Sequence, residues 1–361
     1  MASHTVALVP GDGIGPETSA AMQRVVEASG ADIVWDVAEA GAHLVEEHGT
    51  PLPASTIEAV KRNKVAIKGP VATPVGTGFR SVNVALRREL GLYACLRPVL
   101  SIPGAGGRYD GVDIVIVREN SEDLYAGIEF EEGSEGARKL IALCEEEGAG
   151  AIRPDSGISV KPISKAASER IVRFAFDYAR RHGRRKVTAV HKANIMKHTD
   201  GLFLRAAREV AAERAEDAAF EERIVDAFCM NMVMDPALFD VVVFPNLYGD
   251  IASDLAAGLV GGLGIAPGAN IGDEYAVFEA VHGSAPVIAG QDKANPTAQI
   301  LSAAMMLDYL GEAEAAERIR RAVRAVYAEG AHLTADISKA TGSSKPAASC
   351  TEFTDALIAA F

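Results

Sequence analysis

The chain has 361 residues, and its 48% hydrophobic and 24% charged content is typical of a globular protein long enough to form two domains. Its 49 acidic and 36 basic residues give a net charge of −13, which argues against general nucleic-acid binding because that function needs a basic face. The sequence has no apolar run of about 18 residues, the length that predicts a membrane-spanning helix.

Segments typical of strands and helices alternate along the chain, which predicts an α/β fold. Short, β-branched apolar runs predict strands that are buried on both faces. The predicted strands are Thr5–Val9, Ile33–Ala38, Val65–Lys68, Ile114–Val117, Val187–His191 and Val241–Phe244. The predicted helices are Glu17–Ser29, Pro53–Asn63, Val82–Glu89, Lys165–His182, Gly201–Arg214, Asp250–Val260, Pro296–Leu310 and Ala313–Ala328. The stretch Gly133–Gly157 interrupts this alternation with glutamates and glycines, and we interpret it as an inserted arm, with a disordered loop as the alternative.

The first predicted strand leads into a glycine-rich turn, Val9–Glu17, with the sequence VPGDGIGPE. In a Rossmann fold such a turn binds a dinucleotide phosphate at a helix N-terminus, and an acidic residue about 20 positions later binds the ribose. Asp36 lies near that distance. However, Pro16 occupies the position at which glycine or alanine lets the helix pack closely on the strand. Because proline suits the first turn of a helix, a tight turn that binds no nucleotide is the alternative.

Polar residues suited to binding a polyanion lie in two stretches. They are Ser81, Asn83, Arg87 and Arg97 in the first stretch and Arg118 and Tyr125 in the second. Arg97 follows an apolar, strand-like segment. Arg118 directly follows the apolar run Ile114–Val117, at what should be the carboxyl edge of a sheet, where open α/β sheets bind ligands. A guanidinium group binds a carboxylate through paired hydrogen bonds, so arginines from three elements could converge on one polyanion, unless they are solvated at the surface, as Arg88 is expected to be.

Two aspartates and a lysine indicate further chemistry. Asp250 and Asp254 lie four residues apart, so a helix would place them on one face, where a divalent cation would offset their repulsion. Oxygen ligands suit Mg²⁺ or Mn²⁺ rather than zinc, and helix capping by Asp250 is the alternative. Lys192, at the end of a predicted strand, could act as an acid–base group or as a charge partner. Tyr125 could donate a proton or be a packed ring with a satisfied hydroxyl.

The cysteines Cys95, Cys144, Cys229 and Cys350 are far apart, and no pair has the spacing of a metal site or a redox motif. We therefore expect reduced thiols, as in a cytoplasmic protein. The residues Met1–His4 lead straight into the first predicted strand, without the pattern of a signal peptide or a mitochondrial transit peptide.

Seven segments, in order along nearly the whole chain, resemble blocks of the isocitrate/isopropylmalate dehydrogenase family. They are LVPGDGIGPE, TPVGTGFRSVNVALRRELGLYACLRP, RENSEDLYAGIE, HKANIMK, NLYGDIASD, GIAPGANIGDE and HGSAPVIAGQDKANPTAQILSAAMML. Within the family, the chain is most similar to bacterial homodimeric isocitrate dehydrogenases of the NAD type. The resemblance implies an α/β fold that is not a Rossmann fold, in which VPGDGIGPE is a structural turn near the nicotinamide end of the cleft.

The resemblance also implies a domain organisation. A large α/β domain would comprise residues 1–92 and 261–361, and a small α/β domain would comprise residues 93–122 and 165–260. Residues 123–164 would form a clasp that joins two subunits.

The resemblance implies metal-dependent oxidative decarboxylation of isocitrate to 2-oxoglutarate. Ser81 and Asn83 match the pair that contacts the γ-carboxylate of isocitrate, a place where isopropylmalate dehydrogenases carry apolar residues. Arg87, Arg97 and Arg118 match the arginines that hold the other carboxylates. Ser81 also matches a serine that is phosphorylated in some bacterial members.

The same resemblance assigns the catalytic and metal-binding residues. Asp226, Asp250 and Asp254 match the ligands of Mg²⁺ or Mn²⁺. Lys192 fits deprotonation of the substrate hydroxyl, and Tyr125 fits the donor that protonates the enol carbon. By resemblance, Asp226 and Lys192 come from the partner subunit, which implies a homodimer with shared active sites.

The resemblance implies that the loop from His282 to Asn295 binds the adenosine end of the cofactor. The expected cofactor-binding residues are Thr73, His282, Gly283, Ser284, Ala285, Val287, Ile288 and Asn295. NAD-using members often carry aspartate at position 287, and NADP-using bacterial members carry lysine and tyrosine at positions 287 and 288. Asp235 and Ala335 replace an arginine and a tyrosine of the NADP enzymes, and only Lys339 keeps a positive charge. A 2′-phosphate needs cationic partners, so NAD is favoured.

Two alternatives concern the function itself. The substrate could be another 3-substituted malate, such as homoisocitrate, 3-isopropylmalate or an analogue from specialised metabolism, because Val84, Leu86 and the loop Thr77–Phe79 shape that pocket. The chain could also be a non-catalytic regulatory subunit. That hypothesis predicts lost catalytic residues, yet Tyr125, Lys192 and all three aspartates are present.

Overall fold

A computed structural model of the chain describes residues 3–72 and 81–361. The strands in these residues are β1 (His4–Val9), β2 (Ile33–Val37), β3 (Val65–Lys68), β4 (Ala94–Leu100), β5 (Asp113–Glu119), β6 (Glu129–Phe130), β7 (Ile158–Ser159), β8 (Lys186–His191), β9 (Ala219–Ile224), β10 (Val241–Phe244), β11 (Pro267–Ile271) and β12 (Ala276–Ala280). The α-helices are α1 (Gly15–Ala28), α2 (Val45–His48), α3 (Ala54–Asn63), α4 (Val82–Glu89), α5 (Glu135–Glu146), α6 (Lys165–Arg181), α7 (Asp200–Glu213), α8 (Val225–Met234), α9 (Asn246–Val260), α10 (Thr297–Leu310), α11 (Ala313–Glu329), α12 (Ala335–Thr341) and α13 (Cys350–Ala359).

A mixed sheet of ten strands runs through the described part of the chain, in the order β2-β1-β3-β12-β11-β4-β5-β10-β8-β9. The pairs β12–β11, β11–β4 and β4–β5 are antiparallel, and the other neighbours are parallel. Because β5, β10, β8 and β9 are parallel, their carboxyl ends lie at one edge of the sheet. Candidate functional residues follow directly from this edge.

The central strands are buried on both faces, as their continuous apolar runs predict. Every residue of β10 and of the segment Ile114–Glu119 is buried. Helix α8 packs on β10 through Phe228, whose ring lies 5.0 Å from that of Phe244. Within residues 3–72 and 81–361, no helix has the length and apolar character needed to cross a membrane.

All the predicted strands and helices are present, with ends that differ by up to four residues. One placement was wrong, because Arg97 lies inside β4 rather than after a strand. The predicted arm Gly133–Gly157 contains α5 and lies between β6 and β7, which pair with each other, so the disordered-loop alternative is wrong. The division into large domain, small domain and clasp stays a prediction, since one sheet runs through both proposed domains.

The turn VPGDGIGPE is a packing feature and not a phosphate site. Its amides bond to protein carbonyls: Asp12 N–H donates to the Pro70 oxygen at 2.7 Å and Ile14 N–H donates to the Ser284 oxygen at 2.9 Å. A Cβ on Gly13, which has a φ of 60°, would overlap the Ser284 carbonyl. Asp36 is paired with Arg62. The Rossmann alternative is therefore wrong, and the expected fold class is confirmed.

Candidate active site

Arg118 is the anchor of the candidate site. It lies near the carboxyl end of β5 with only 1% of its surface exposed, so the surface alternative is wrong for this residue. Its Nε donates to Asn246 Oδ1 at 2.9 Å, and its Nη1 bonds to the Asp250 carboxylate. The guanidinium also lies over the Tyr125 ring, 4.7 Å from the centroid. A cation is thus fixed at the sheet edge, with one buried nitrogen, Nη2, left without a partner among the described residues.

Helix α9 presents the two aspartates beside Arg118. The helix begins at Asn246, so Asp250 lies beyond its first turn and the capping alternative is wrong. Asp123 caps the helix instead, because its Oδ2 accepts the Leu247 N–H at 2.9 Å. Arg97 Nη1 lies 3.3 Å from Asp254 Oδ1 and 3.8 Å from Asp250 Oδ1. Both carboxylates therefore border the same arginine.

The two carboxyl groups have opposite pKa shifts. Burial opposes ionisation of Asp250, but the charges of Arg118 and Arg97 and the Tyr125 hydrogen bond outweigh it and lower its pKa. Burial and the charge of Asp250 raise the pKa of Asp254, despite the charge of Arg97. A bound cation would favour the ionised form of both groups. Their oxygen donors suit Mg²⁺ or Mn²⁺.

Tyr125 lies next to these carboxylates. Its hydroxyl donates to Asp250 Oδ2 at 2.5 Å. Burial, followed by the Asp250 hydrogen bond, raises the pKa of Tyr125, so the hydroxyl keeps its proton at neutral pH. The packed-ring alternative does not describe this residue fully, because the hydroxyl faces the proposed ligand groups.

Helix α4 and its N-cap carry the predicted Ser81, Asn83 and Arg87, of which Arg87 lies close enough to Arg118 and Asp250 for its charge to act on both. Ser81 is the N-cap residue, yet its side chain makes no capping bond. Arg87 is buried and its Nη2 donates to Glu279 Oε1 at 3.3 Å. Asn83 Oδ1 and Arg87 Nε are buried without a partner among the described residues. Arg88 is exposed, as expected of a surface residue.

A buried charge network behind Arg87 was not predicted from the sequence. Glu279, on β12, lies 2.7 Å from Lys68 Nζ and accepts from Asn270 Nδ2 at 2.7 Å. The charges of Lys68 and Arg87 lower the pKa of Glu279 in spite of its burial. The one sequence signal is a glutamate inside the apolar strand AVFEA. Asn246, which fixes Arg118, was also missed, although it begins the segment that contains both aspartates.

Lys192 and Asp226 form a separate pair in this chain. Lys192 Nζ lies 2.5 Å from Asp226 Oδ1, and Asp226 is 68% exposed. Among the described residues, one group of three His, Cys, Asp or Glu side chains has its ligand atoms within 4.8 Å of one another, and it is Glu17, Asp292 and Cys350. A single chain therefore does not bring Asp226 together with the aspartates of α9.

The predicted cofactor loop is held against α1, because the amides of Asp292 and Ala294 donate to the Glu17 carboxylate at 3.2 and 2.8 Å. His282 Nε2 is buried without a partner among the described residues, and burial lowers its pKa. Asn295 Nδ2 is 2.9 Å from Asp336 Oδ2. Thr73 and the loop Thr77–Phe79 lie outside the described residues.

The side chains that would discriminate between NAD and NADP are at the surface. Val287 is 84% exposed. Ala335 and Lys339 are exposed on α12, and Asp235 is exposed after α8. The expected cofactor-binding residues Gly283, Ser284, Ala285 and Ile288 surround Val287 in the same loop.

Comparisons with known proteins bear on the whole chain. The family model described as "Isocitrate/isopropylmalate dehydrogenase" matches residues 5–357. The chain is 49% identical over 332 residues to the alpha chain of a probable mitochondrial isocitrate dehydrogenase [NAD] of Caenorhabditis elegans, covering 92% of this chain and 87% of that protein. It is 47% identical over 356 residues to a mitochondrial isocitrate dehydrogenase [NAD] regulatory subunit of Dictyostelium discoideum, covering 98% and 90%. The crystal structure of isocitrate dehydrogenase from Methylococcus capsulatus superposes with a TM-score of 0.89 at 48% identity, covering 99% of both chains.

Proposed function

The chain belongs to the isocitrate/isopropylmalate dehydrogenase family, and we propose that it catalyses the oxidative decarboxylation of isocitrate to 2-oxoglutarate with reduction of NAD. The observation that carries the proposal is the cluster of Arg118, Asp250 and Tyr125, which combines an anion-binding cation, a metal-type ligand and a protonated hydroxyl. These groups match the demands of a reaction that binds carboxylates and ends in a protonation.

The arginines would hold the substrate carboxylates. Arg118 Nη2 and Arg87 Nε are buried donors without partners among the described residues, and such donors are costly unless a ligand accepts from them. With Arg97 and Ser81, they supply more polar contacts than a substrate with an apolar 3-substituent could use. This favours isocitrate over 3-isopropylmalate.

Mg²⁺ or Mn²⁺ would bind Asp250 and Asp254, whose carboxylate donors fit such an ion. When bound, the cation would polarise the oxygen on C2 of the substrate and NAD would accept the C2 hydride. The exposed Val287 and the acidic Asp235 offer no cation for a 2′-phosphate, which supports NAD over NADP.

Two side chains would move protons. Lys192 would take the proton of the substrate hydroxyl through its neutral amine, directly or through water, and its contact with Asp226 positions the Nζ atom. After CO₂ is lost, Tyr125 would deliver its proton to the enol carbon. The raised pKa of Tyr125 supports this role, because a proton donor must hold its proton until the carbon becomes basic.

We propose that two copies of the chain share their active sites. On α8, Asp226 is followed by the exposed side chains of Met230 and Met234, the latter 71% exposed, and the spacing puts all three on one helix face. On the adjoining α9, Ile251 is exposed beside Asp254. Apolar faces of this kind are usually covered by a partner. In a homodimer, Asp226 of the partner subunit would join the aspartates of α9.

A catalytic role is favoured over a regulatory one because every predicted catalytic residue is present, although one of the relatives is named a regulatory subunit. A cytoplasmic location is proposed from the four unpaired cysteines, while the curated relatives compared above are named mitochondrial.

Product analysis tests the proposed reaction. We expect isocitrate to yield NADH, CO₂ and 2-oxoglutarate in equal amounts, and EDTA to abolish all three. Homoisocitrate and 3-isopropylmalate, assayed in parallel, should react far more slowly. Faster reaction with either analogue, or NADH formation without CO₂, would contradict the proposal.

A further inference from the structure

The central sheet opens between two of its strands. β4 and β11 pair only through Ala94–Leu96 and Ala269–Ile271, although β4 continues to Leu100. A cavity of about 1370 Å³ lies at this opening. Its walls come from α6 on one side and from α10 and α11 on the other. Ligand pockets commonly span about 300–1,000 Å³, so there is room here for a small organic molecule and water.

The cavity is distinct from the candidate active site but adjoins it. The side chains of a strand alternate between faces, so Leu96 and Arg97 on β4 point to opposite sides of the sheet. Both line the cavity, which therefore passes through the opening as far as Arg97 and Ser253. The cavity lining does not include Arg118, Tyr125 or Asp250.

Aromatic side chains form much of the wall. Tyr93, Phe174 and Tyr178 line the side formed by α6 and the start of β4. The rings of Tyr93 and Phe174 meet edge to face, with centroids 6.1 Å apart. On the opposite side, Tyr309 lines the cavity with 48% of its surface exposed. Tyr178 also stacks on His182, with ring centroids 4.1 Å apart, and a wall of rings of this kind suits a flat aromatic ligand.

The residues that line the cavity carry a net positive charge, whereas the chain as a whole is negative. Seven arginines and five carboxylates line the cavity, whereas the chain as a whole carries a net charge of −13. Five of the arginines lie within 4.0 Å of a carboxylate, and they are Arg97, Arg173, Arg184, Arg320 and Arg324. Arg170 and Arg181, both on α6, have no such partner in residues 3–72 and 81–361. The Arg170 guanidinium lies 4.1 Å from the Tyr93 ring centroid.

We propose that this cavity binds a small aromatic anion, such as an aromatic carboxylate. Its ring packs against Tyr93, Phe174 and Tyr178 and its charged group bonds to Arg181, while Arg170, about three helical turns away on α6, adds positive charge to the wall. Charge-assisted bonds to arginine give the anion its preference over a neutral molecule of the same shape. The proposal does not depend on the reaction, since the aromatic and cationic groups that bind the anion lie outside the active-site cluster.

Fluorescence of 8-anilinonaphthalene-1-sulfonate, an aromatic anion, tests the proposal on the native, full-length protein. We expect saturable binding of one probe per chain, displaced by 1-naphthoate but poorly by the neutral 1-naphthalenemethanol. Arg181→Gln should raise the dissociation constant of the probe by about fivefold or more, because one charge-assisted hydrogen bond is lost. Arg205→Gln is the matched control, because Arg205 is also exposed on a helix and lies outside the cavity.

The opposite results would overturn the proposal. These are absence of saturable binding, equal weakening by the two arginine variants, or equal displacement by the neutral naphthalene. Displacement by saturating NAD or by isocitrate with Mg²⁺ would put the probe in the active-site cleft and also contradict the proposal. Phe174→Leu gives a second check. It should weaken binding of the probe while leaving the thermal midpoint of unfolding within a few degrees of the native value.

Discussion

Tyr125 is the proposed proton donor of the reaction. Its ring lies under Arg118 and its hydroxyl donates to Asp250, so Tyr125→Phe removes the proton without changing the shape of the ring. We expect kcat to fall by about 10²–10⁴-fold, the usual contribution of a general acid, with little change in the KM for isocitrate. Steady-state kinetics of the purified variant provide the measurement.

Tyr275→Phe is the control for that variant, since Tyr275 lies outside the candidate site and should tolerate loss of its hydroxyl. Unchanged turnover in Tyr125→Phe would remove Tyr125 from the mechanism. An unchanged kcat with a raised KM would instead give it a binding role only.

A second prediction at the scale of single residues concerns Val287. Val287→Asp would give the exposed loop a carboxylate that can accept hydrogen bonds from both ribose hydroxyls of NAD. A bond to a charged group contributes about 1.5–3 kcal/mol, so the KM for NAD should fall by roughly tenfold or more. Val287→Asn is the uncharged comparison. An unaltered KM for NAD would mean that residue 287 does not face the ribose.

The sequence alone predicted some residues of the candidate site but not others. Arg118 was predictable because a charge after four apolar residues must lie at a strand end. Glu279 was not, because its partners Lys68 and Arg87 come from distant segments that only the sheet brings together. Asn246 was overlooked since its role depends on the direction of Arg118 Nε.

Packing of α9 on β5 requires a glycine. A Cβ on Gly249 would lie 2.6 Å from Arg118 Cβ, which is closer than real Cβ contacts. Gly249→Ala should therefore shift Arg118 and lower kcat/KM for isocitrate by about tenfold to a hundredfold, because misplacement by about 1 Å is costly in catalysis. Gly201→Ala in α7 is the control, with its nearest atom at 3.7 Å. Equal activity of the two variants would show that α9 can move away without loss.

The Glu279 network joins β12, β3 and α4, and its removal tests how much it stabilises the fold. Glu279→Gln leaves Lys68 and Arg87 buried without their carboxylate, which should cost about 3–5 kcal/mol of unfolding free energy at pH 7. Urea unfolding of both proteins measures it. A loss below 1 kcal/mol would mean that the two cations find other partners.

The contacts of Glu279 with Lys68 and Arg87 also predict that the stability of the protein depends on pH. The pKa of Glu279 in the folded protein is lower than its ordinary value of 4.5, so its contribution is fully present above that pH. As the pH falls below 4.5 toward the lower folded pKa, the unfolded chain takes up a proton first and the contribution is lost. The difference in stability between the native protein and Glu279→Gln should therefore narrow at acid pH. A constant difference from pH 7 to pH 3.5 would contradict this account.

At the scale of elements, strands with continuous apolar runs could be predicted from the sequence, whereas elements of mixed composition could not. The apolar runs of β5 and β10 identified them as strands. β9 has the sequence AFEERI, with three charged residues on an edge strand, and β11 has PGANI, with glycine and proline. Helix α5 was hidden by its glutamates, although Ser134 caps it. Helix α8 has apolar residues on its exposed side as well as on its buried side, so its sequence shows no single apolar stripe.

At the scale of the whole molecule, the fold class could be predicted from the sequence, but the assembly of the candidate site could not. The fold class followed from the alternation of elements, and one sheet of ten strands agrees with it. The completeness of the active site was not predictable from spacing, because Asp226 lies apart from the α9 aspartates in a single chain. In the proposed homodimer, a second copy of the chain would supply the missing ligand.

Hybrid dimers test the shared site. Asp226→Asn and Tyr125→Phe should each be nearly inactive alone. When the two variants are coexpressed, random pairing makes about half of the dimers hybrid, and each hybrid has one site with both native residues. About a quarter of the native activity should return, as expected for symmetric dimers with shared sites. If each site were complete within one chain, no activity would return.

The central claim is that this chain oxidises isocitrate with NAD. The most direct test is the initial rate of nicotinamide reduction, followed by absorbance, with D-isocitrate and Mg²⁺ or Mn²⁺, and with NAD and NADP in parallel. We predict rapid reduction of NAD and a kcat/KM for NADP lower by about tenfold or more, because Val287 and Ile288 offer no cationic side chain for a 2′-phosphate. Preference for NADP would contradict the cofactor assignment, and no reduction of either cofactor would contradict the substrate.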